Sequence, residues 1–163
     1  MTSVLITGAN GFVGHALIKV LLEQTDWHII GQVRENSKTK DRIYPVVSTS
    51  KDPSRVELYS FDVRQAWPRL PKVDYILHCA GNPSAAQCLI SPGDAVEDNV
   101  MGTLQALRFA KSQENLQRFV YFSTCEVFGP AGPGVTFGPN SRYNSNNPYA
   151  ATKSAGEELT SAY

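Results

Sequence analysis

Three glycines near the start of the chain restrict its fold more than any other feature. The segment Thr7–Gly14 joins an apolar run, Ser3–Thr7, to a stretch with apolar residues at helical spacing. Gly8 permits a sharp turn, Gly11 leaves room for backbone N–H groups to approach a pyrophosphate, and Gly14 lets the helix pack close to the strand. The free N–H groups at the start of that helix would bind the phosphates. An ordinary glycine turn is the alternative, but the strand before it and the helix after it favour a dinucleotide site.

Short apolar runs alternate with helical patterns along the rest of the chain. This alternation predicts an α/β fold of the Rossmann type, a doubly wound parallel sheet with helices on both faces and right-handed crossovers. Two long segments, Glu35–Ser54 and Gly129–Asn147, are expected to be irregular, and loops of that length are usually functional or mobile. The predicted strands are Ser3–Thr7, His28–Val33, Val56–Phe61, Val73–Cys79 and Phe119–Phe122, and the predicted helices are Phe12–Glu23, Asp94–Ala110 and one that begins at Pro148.

Composition excludes several classes of protein. The 163 residues suit one domain, and 15 basic residues balance 15 acidic ones, so no global field favours nucleic acid or an anionic membrane. No apolar run approaches the roughly 18 residues needed to span a bilayer. Cys79, Cys88 and Cys125 match no disulfide framework and no zinc pattern, so we expect no metal and a reducing, cytoplasmic location. His78 beside Cys79 permits a metal interpretation, but two buried residues at a strand end are the preferred one.

A tyrosine and a lysine lie four residues apart in Tyr149-Ala150-Ala151-Thr152-Lys153. On a helix this spacing puts both side chains on one face. A free phenol has a pKa near 10, but a unit charge about 4 Å away contributes roughly 4 kcal/mol at an effective dielectric near 20, or about 3 pKa units. We therefore expect Lys153 to lower the pKa of Tyr149, so that Tyr149 takes a proton from an alcohol as hydride leaves for a nicotinamide ring. Such pairs also arise by chance, so the position after the fifth strand carries the weight.

The fifth predicted strand ends in Ser123-Thr124-Cys125-Glu126. Ligands of open parallel sheets bind beyond the carboxyl ends of the strands, so a hydroxyl there faces the ligand crevice. Thr124 is thus predicted to bind the reacting oxygen, with a plain turn residue as the alternative.

These motifs together resemble those of a known family. Thr124–Gly129, which reads Thr-Cys-Glu-Val-Phe-Gly, resembles the Thr-x-Glu-Val-Tyr-Gly segment of nucleotide-sugar 4,6-dehydratases and UDP-glucuronate decarboxylases. Asn147–Glu157 resembles their Ser-Pro-Tyr-x-x-x-Lys-x-x-x-Glu stretch, and the G-x-x-G-x-x-G spacing of the first loop resembles that of extended short-chain dehydrogenases. The whole chain therefore resembles the NAD-dependent epimerase/dehydratase family of short-chain dehydrogenase/reductases.

The resemblance implies roles for further residues. Asp62-Val63 would bind the adenine, the segment from Cys79 to Gly81 would lie beside the ribose and phosphates, and Asn99 would support the active-site strand. A plain turn residue is the alternative for Asp62. The implied catalytic residues are Thr124, Glu126, Tyr149 and Lys153, and the implied cofactor contacts are Gly8, Asn10, Gly11, Phe12, Val13, Gly14, Arg34, Asp62, Val63, Cys79, Ala80, Gly81, Asn99, Tyr149 and Lys153.

Glu126 and Cys125 bear on the type of reaction. In the dehydratases a glutamate that matches Glu126 removes the C5 proton of the sugar, and a structural role at the strand end is the alternative here. The dTDP-glucose enzymes have aspartate where this chain has Cys125, while GDP-mannose dehydratases and the decarboxylases have serine. Because a thiol has a pKa near 8.5, it is a poor substitute for that acid.

Arg34 bears on the choice between NAD and NADP. An acid at the end of the second strand binds the ribose 2′-hydroxyl of NAD, whereas an arginine pairs with the 2′-phosphate of NADP. The family's NAD-selecting acid aligns with Val33, and Arg34 resembles the arginine that selects NADP in GDP-mannose dehydratases. We therefore favour NADP over NAD, with a solvated surface arginine as the alternative.

The resemblance predicts a nucleotide-sugar enzyme that oxidises C4 transiently, followed by dehydration, decarboxylation or epimerisation. A dinucleotide-binding sensor or scaffold without turnover and a simple 4-ketosugar reductase are the alternatives. Family members are longer, so residues 1–163 are expected to be an N-terminal fragment that lacks the C-terminal substrate domain and is inactive alone. Such enzymes are usually homodimers, through helices that match Asp94–Ala110 and Tyr149–Tyr163.

Overall fold

Five parallel strands form one sheet in a computed structural model that describes residues 1–35, 37 and 42–163. The strand order is β3-β2-β1-β4-β5, so the chain builds outward from β1 on one side and then returns to build on the other. This reversal between β1 and β4 is the switch point at which doubly wound folds bind ligands. The predicted Rossmann-type fold is confirmed. The strands are β1 Ser3–Thr7, β2 His28–Val33, β3 Val56–Ser60, β4 Tyr75–His78 and β5 Arg118–Tyr121.

Six α-helices lie in the described part of the chain, and three details differ from the sequence prediction. The helices are α1 Phe12–Gln24, α2 Ile43–Ser48, α3 Ala85–Ile90, α4 Pro92–Val96, α5 Gly102–Lys111 and α6 Pro148–Ala162. The predicted helix Asp94–Ala110 starts earlier and contains a π-helical turn, Glu97–Met101, between α4 and α5. The prediction of an irregular Glu35–Ser54 is wrong where α2 forms, while residues 36 and 38–41 of that segment lie outside the described residues. The short helix α3 was not predicted.

The missed helices are too short to show periodicity in the sequence. Helix α2 has six residues and is fixed by one buried side chain, Ile43, which packs in the cluster formed by β1, β2 and α1. Helix α3 also has six residues and begins at Ser84, whose side chain accepts the Gln87 N–H at 3.2 Å. Tertiary packing therefore decides where α2 forms, and a side-chain cap marks the start of α3. The segment Gly129–Asn147 has no helix or strand, as predicted.

Side chains of β1 alternate between two hydrophobic clusters, one on each face of the sheet. Val4 and Ile6 pack with α1 in the first cluster, while Leu5 packs with β4 and α5 in the second. Because both faces are covered, the strand is a continuous apolar run rather than an alternating one. Within the described ranges, no helix has the length and apolar character that a membrane crossing requires.

Helix α1 approaches the end of β1 so closely that only glycine fits at position 14. A Cβ on Gly14 would lie 2.3 Å from the carbonyl oxygen of Gly8 and 2.8 Å from the Cα of Ala9. Both neighbours are backbone atoms, so they cannot yield as a flexible side chain would.

We expect Gly14→Ala to destabilise the protein by about 1–3 kcal/mol, since the added methyl must push α1 away from β1. Gly93→Ala is the matched control, because a Cβ at this helical glycine would meet nothing within 4 Å. Urea unfolding of both variants measures the difference. Equal midpoints for the two variants would contradict the steric account.

Candidate active site

A cleft of about 350 Å³ runs along the carboxyl ends of the central strands. It brings together twelve of the residues that the sequence analysis assigned to a cofactor. It also includes five residues that were not predicted, among them Gln32 and Asp98. The predicted residues on its wall are Gly8, Asn10, Gly11, Phe12, Val13, Gly14, Arg34, Asp62, Val63, Cys79, Ala80 and Gly81.

The glycine loop forms one wall of the cleft and leaves a polar group without a partner. Gly8 has a φ of 66°, in the left-handed region, and a Cβ there would lie 3.0 Å from the backbone nitrogen of Ala80. The side-chain nitrogen Nδ2 of Asn10 is buried and has no hydrogen-bond partner among the described residues. Because buried donors are almost always paired, this amide indicates a ligand that the loop is shaped to accept.

Gln32 holds the glycine loop in place, and the sequence analysis missed it. Its Oε1 accepts the N–H of Gly8 at 2.9 Å, and its Nε2 donates to the carbonyl of Phe61 at 2.5 Å. The side chain thereby ties the end of β1 to the end of β3, and only 1% of it is exposed. The signal in the sequence was a lone amide inside an apolar strand, which must find partners when it is buried.

An ion-pair network closes the cleft beyond β3. Arg64 donates Nε and Nη2 to the two carboxylate oxygens of Asp62, at 2.9 and 2.6 Å, and its Nη1 lies 3.5 Å from Asp98. This hydrogen bonding to Arg64 holds the pKa of Asp62 below its usual range, and Arg34 contributes in the same direction. Arg64 is a second residue that the sequence analysis missed.

The same end of the cleft carries basic side chains. Arg34 is exposed at the end of β2, and Arg42, which was not predicted, lies at the start of α2. Ser37 also lines this part of the wall, and its N–H donates to the carbonyl of Arg34 at 3.2 Å. This local positive charge contrasts with the zero net charge of the chain.

Three of the four predicted catalytic residues meet beyond β5. Thr124 caps a 3-10 turn, Cys125–Phe128, by accepting the N–H of Glu126 at 3.3 Å. Asn147 caps α6 by accepting the N–H of Ala150 at 2.8 Å, and its own amide donates to Glu126 at 2.9 Å. Tyr149 is the second residue of that helix, and the nearby Thr124 hydroxyl acts to lower the pKa of its phenol. One cap residue thus holds Glu126 next to the helix that presents Tyr149.

The expected effect of Lys153 on Tyr149 is wrong for this structure. The pKa of Tyr149 is raised, first by burial, while the hydrogen bond to Thr124 acts in the opposite direction and Glu126 adds to the rise. The Lys153 ammonium is drawn inward, where it donates to the carbonyl of Phe122 and lies 4.2 Å from the centroid of the Tyr121 ring. Burial lowers the pKa of Lys153 to about 8. The four-residue spacing predicts the helix face of Lys153 but not the direction in which its ammonium points.

Asn99 lies behind the cleft rather than on its wall. It is 2% exposed and belongs to the π-helical turn. Its Oδ1 accepts the N–H of Asn82 at 2.7 Å, and its Nδ2 donates to Thr152 of α6 at 2.9 Å. Asn99 therefore connects the loop after β4 to the helix of Tyr149 and Lys153.

Glu157 anchors the long segment that follows the 3-10 turn. Its carboxylate accepts hydrogen bonds from the hydroxyls of Ser123 and Tyr143, and the bond to Tyr143 raises the pKa of that phenol to about 12. The N–H of Asn144 donates to Val127 at 2.8 Å. These contacts hold the segment against the end of β5, beside Thr124.

A sequence profile described as the NAD dependent epimerase/dehydratase family matches residues 4–163. The chain belongs to this family. A dTDP-glucose 4,6-dehydratase of Haemophilus influenzae is 25% identical over 100% of this chain and 52% of its own length. A GDP-6-deoxy-D-mannose reductase of Pseudomonas aeruginosa is 28% identical over 94% of this chain and 44% of its own.

Solved structures agree with this family assignment. The dTDP-glucose 4,6-dehydratase of Streptomyces venezuelae, solved with NAD bound, superposes with a TM-score of 0.88 at 27% identity, over 99% of this chain and 51% of that one. The chain thus spans about half the length of the epimerase/dehydratase relatives that it matches.

Lys153 should titrate near pH 8 in the folded protein, well below the ordinary lysine pKa of 10.5. Since the folded chain loses this proton before the unfolded chain does, stability contributed by Lys153 should increase as the pH rises from about 8 to 10.5. ¹³C NMR of labelled lysine measures the titration, and Lys153→Met assigns the signal. A midpoint near 10.5 would show that the ammonium is solvated.

Proposed function

We propose that the chain is the dinucleotide-binding part of an enzyme that modifies nucleotide sugars through transient oxidation at C4. The observation that carries this proposal is the meeting of Thr124, Glu126 and Tyr149 beyond the end of β5. The family assignment supports the same class of chemistry. Dehydration, decarboxylation or epimerisation would follow the oxidation.

The cleft fits a nicotinamide dinucleotide. The glycine loop offers a backbone cradle that a Cβ would fill, and Asn10, whose buried amide is unpaired among the described residues, lines the same cleft. When bound, the dinucleotide would supply the hydride acceptor. Gly11 and the first turn of α1 would hold its phosphates, and Asp62 and Val63 would hold its adenine end.

Tyr149 acts as the general base for the sugar hydroxyl, and Thr124 orients the same oxygen. The Thr124 hydroxyl is near enough to Tyr149 to lower the pKa of the phenol, so both hydroxyls can reach one substrate oxygen. Lys153 uses one of its three N–H donors on the Phe122 carbonyl, which leaves two for a ribose. With two N–H donors left, Lys153 can bind the ribose of the cofactor, even though Lys153 does not lower the pKa of Tyr149 in the free chain.

Glu126 is the proposed base for the proton at C5. Its carboxylate is fixed by the Asn147 amide, close to the helix that presents Tyr149. Cys125, which is exposed, occupies the position of the acid in dTDP-glucose enzymes, so expulsion of the C6 hydroxyl lacks its usual acid. A 4-ketosugar reductase is the second candidate, since a GDP-6-deoxy-D-mannose reductase is among the relatives of the chain.

A panel of nucleotide sugars tests the function in the full-length protein. Oxidation at C4 should give a transient absorbance of reduced nicotinamide, and Tyr149→Phe should slow it by about 10²–10⁴-fold, because the base is lost. Thr124→Val should slow it by about 10²-fold. Tyr44→Phe is the control, since this tyrosine is 60% exposed on α2. Dinucleotide binding without a signal from any sugar would favour the sensor alternative.

We also propose that the cofactor is NADP. Arg34, Arg42 and Ser37 line one end of the cleft, where a 2′-phosphate could accept two charge-assisted hydrogen bonds. Each bond of this kind contributes about 1.5–3 kcal/mol.

Arg34→Ala and Arg42→Ala should each weaken NADP binding by roughly tenfold to a hundredfold and leave NAD binding nearly unchanged. Calorimetric titration with both dinucleotides measures this. Arg118→Ala at the start of β5, the opposite edge of the sheet, controls for lost surface charge. Equal losses for NAD and NADP would overturn the assignment.

A further inference from the structure

A row of buried polar side chains runs behind the cleft, from the end of β1 to the π-helical turn. The Thr7 hydroxyl lies 2.7 Å from Nδ1 of His78, and the other ring nitrogen, Nε2, lies 3.1 Å from the Thr103 hydroxyl. Thr103 in turn donates to the carbonyl of Asn99 at 2.6 Å. Thr7, His78 and Thr103 are at most 1% exposed.

The hydrogen bonds of this row fix the tautomer of His78. Thr103 donates its single hydroxyl proton to the Asn99 carbonyl, so its oxygen can only accept a hydrogen bond from the imidazole. The imidazole must therefore carry its proton on Nε2. Nδ1 is then an acceptor, and Thr7 donates to it while accepting the N–H of Ala80 at 3.1 Å. Burial, with a smaller contribution from Lys153, lowers the pKa of His78 to about 3, so the ring is neutral.

The row continues through Asn99 into the helix of the proposed base. Asn99 donates to the Thr152 hydroxyl at 2.9 Å, and Thr152 donates to the carbonyl of Tyr149 at 2.8 Å. The other side of the Asn99 amide binds the backbone of Asn82, in the loop that follows Gly81. We call Thr7, His78, Thr103, Asn99 and Thr152 the His78 network.

We propose that His78 is a positioning residue, which sets the separation between the glycine loop and the helix that presents Tyr149. This inference rests on the proposed function, because it takes Tyr149 as the base. A rigid ring with one donor and one acceptor at opposite ends holds Thr7 and Thr103 at a fixed distance. An apolar side chain would fill the same space, but it would leave the buried Thr7 hydroxyl without an acceptor for its proton and the Thr103 oxygen without the ring N–H donor.

The position matters because the proposed chemistry joins two parts of the fold. The glycine loop and Ala80 wall the cleft, while Tyr149 stands on α6. The His78 network reaches both parts, through Thr7 and Ala80 on one side and through Thr152 on the other. An error of about 1 Å between reacting groups can cost on the order of 10²-fold in rate.

The tautomer is the first test, and it needs no substrate. In the full-length protein with ¹⁵N-labelled histidine, His78 should show the neutral form protonated on Nε2 throughout pH 5–8, a range in which an ordinary histidine with a pKa of about 6.5 titrates. His78→Gln identifies the signal. A charged ring, or a proton on Nδ1, would overturn the proposal.

A double-mutant cycle is the second test. Thr103→Val and Thr152→Val each remove one hydroxyl of the network, and each should lower kcat about tenfold with dinucleotide affinity changed less than about threefold. The double variant should lose little more than either single variant, since both act through Asn99. Thr103→Ser and Thr152→Ser keep the hydroxyl and should restore the rate. Additive losses would show two separate local effects and overturn the proposal.

Thr160→Val is the matched control, because Thr160 also lies on α6 and donates to a carbonyl one turn back, Gly156, at 2.7 Å, outside the network. A second readout separates this inference from the proposed function. The ¹³Cζ signal of Tyr149 should titrate at a shifted pH in Thr103→Val and Thr152→Val, but not in Thr160→Val, whether or not any sugar turns over. If wild-type protein oxidises no sugar, the proposed function fails alone. An unmoved Tyr149 titration in both network variants overturns the role of the network.

Discussion

The glycine loop forms its cleft because two pairs of backbone segments pack without a side chain between them. Gly14 brings α1 against the carbonyl of Gly8, and Gly8 itself, with a positive φ, lies against the backbone of Ala80. Gln32 then fixes the loop from the other side by binding the N–H of Gly8. With no side chain between these segments, the first turn of α1 points its free N–H groups into the space where the strand order reverses. The remaining features of the site are arranged around that space.

Polar side chains behind the cleft are paired, whereas the buried amide of one residue that lines it is not. Thr7, His78 and Asn99 are fully buried, and each uses its donors and acceptors within the protein. Asn10, on the wall, keeps an unpaired amide. A buried donor without a hydrogen bond destabilises the folded chain by about 1–3 kcal/mol. A ligand that accepts a hydrogen bond from Asn10 would remove this destabilisation. Polar side chains whose hydrogen bonds are complete hold the back of the cleft rigid, while the unpaired Asn10 amide on its wall leaves a hydrogen bond for a ligand. This combination is typical of a preorganised binding site.

Local sequence predicted the parts of this site that depend on local geometry. The glycine spacing, the hydroxyl after β5 and the tyrosine at the start of α6 each follow from a strand end or a helix start, and the structure brings Thr124, Glu126 and Tyr149 together. Gln32 and Arg64 were missed because their partners lie on other segments, and no spacing reveals such a partner before the strands pair. The π-helical turn was missed because one extra residue per turn hardly alters an apolar stripe. The cofactor roles and the dimer stay predictions.

Burial moves the two titrating groups of the proposed site towards their neutral forms. It raises the pKa of Tyr149 and lowers that of Lys153 to about 8, so the free chain is not prepared to take a proton from an alcohol. A positive charge about 4 Å from the phenol would contribute roughly 4 kcal/mol at an effective dielectric near 20, or about 3 pKa units, in the direction opposite to burial. Lys153 does not provide that charge, since its ammonium is held by the Phe122 carbonyl and the Tyr121 ring. The cationic ring of an oxidised nicotinamide is the remaining source in the proposed chemistry. In the proposed chemistry, proton abstraction by Tyr149 would therefore depend on occupancy of the cleft, and the sugar hydroxyl would keep its proton until a hydride acceptor is bound.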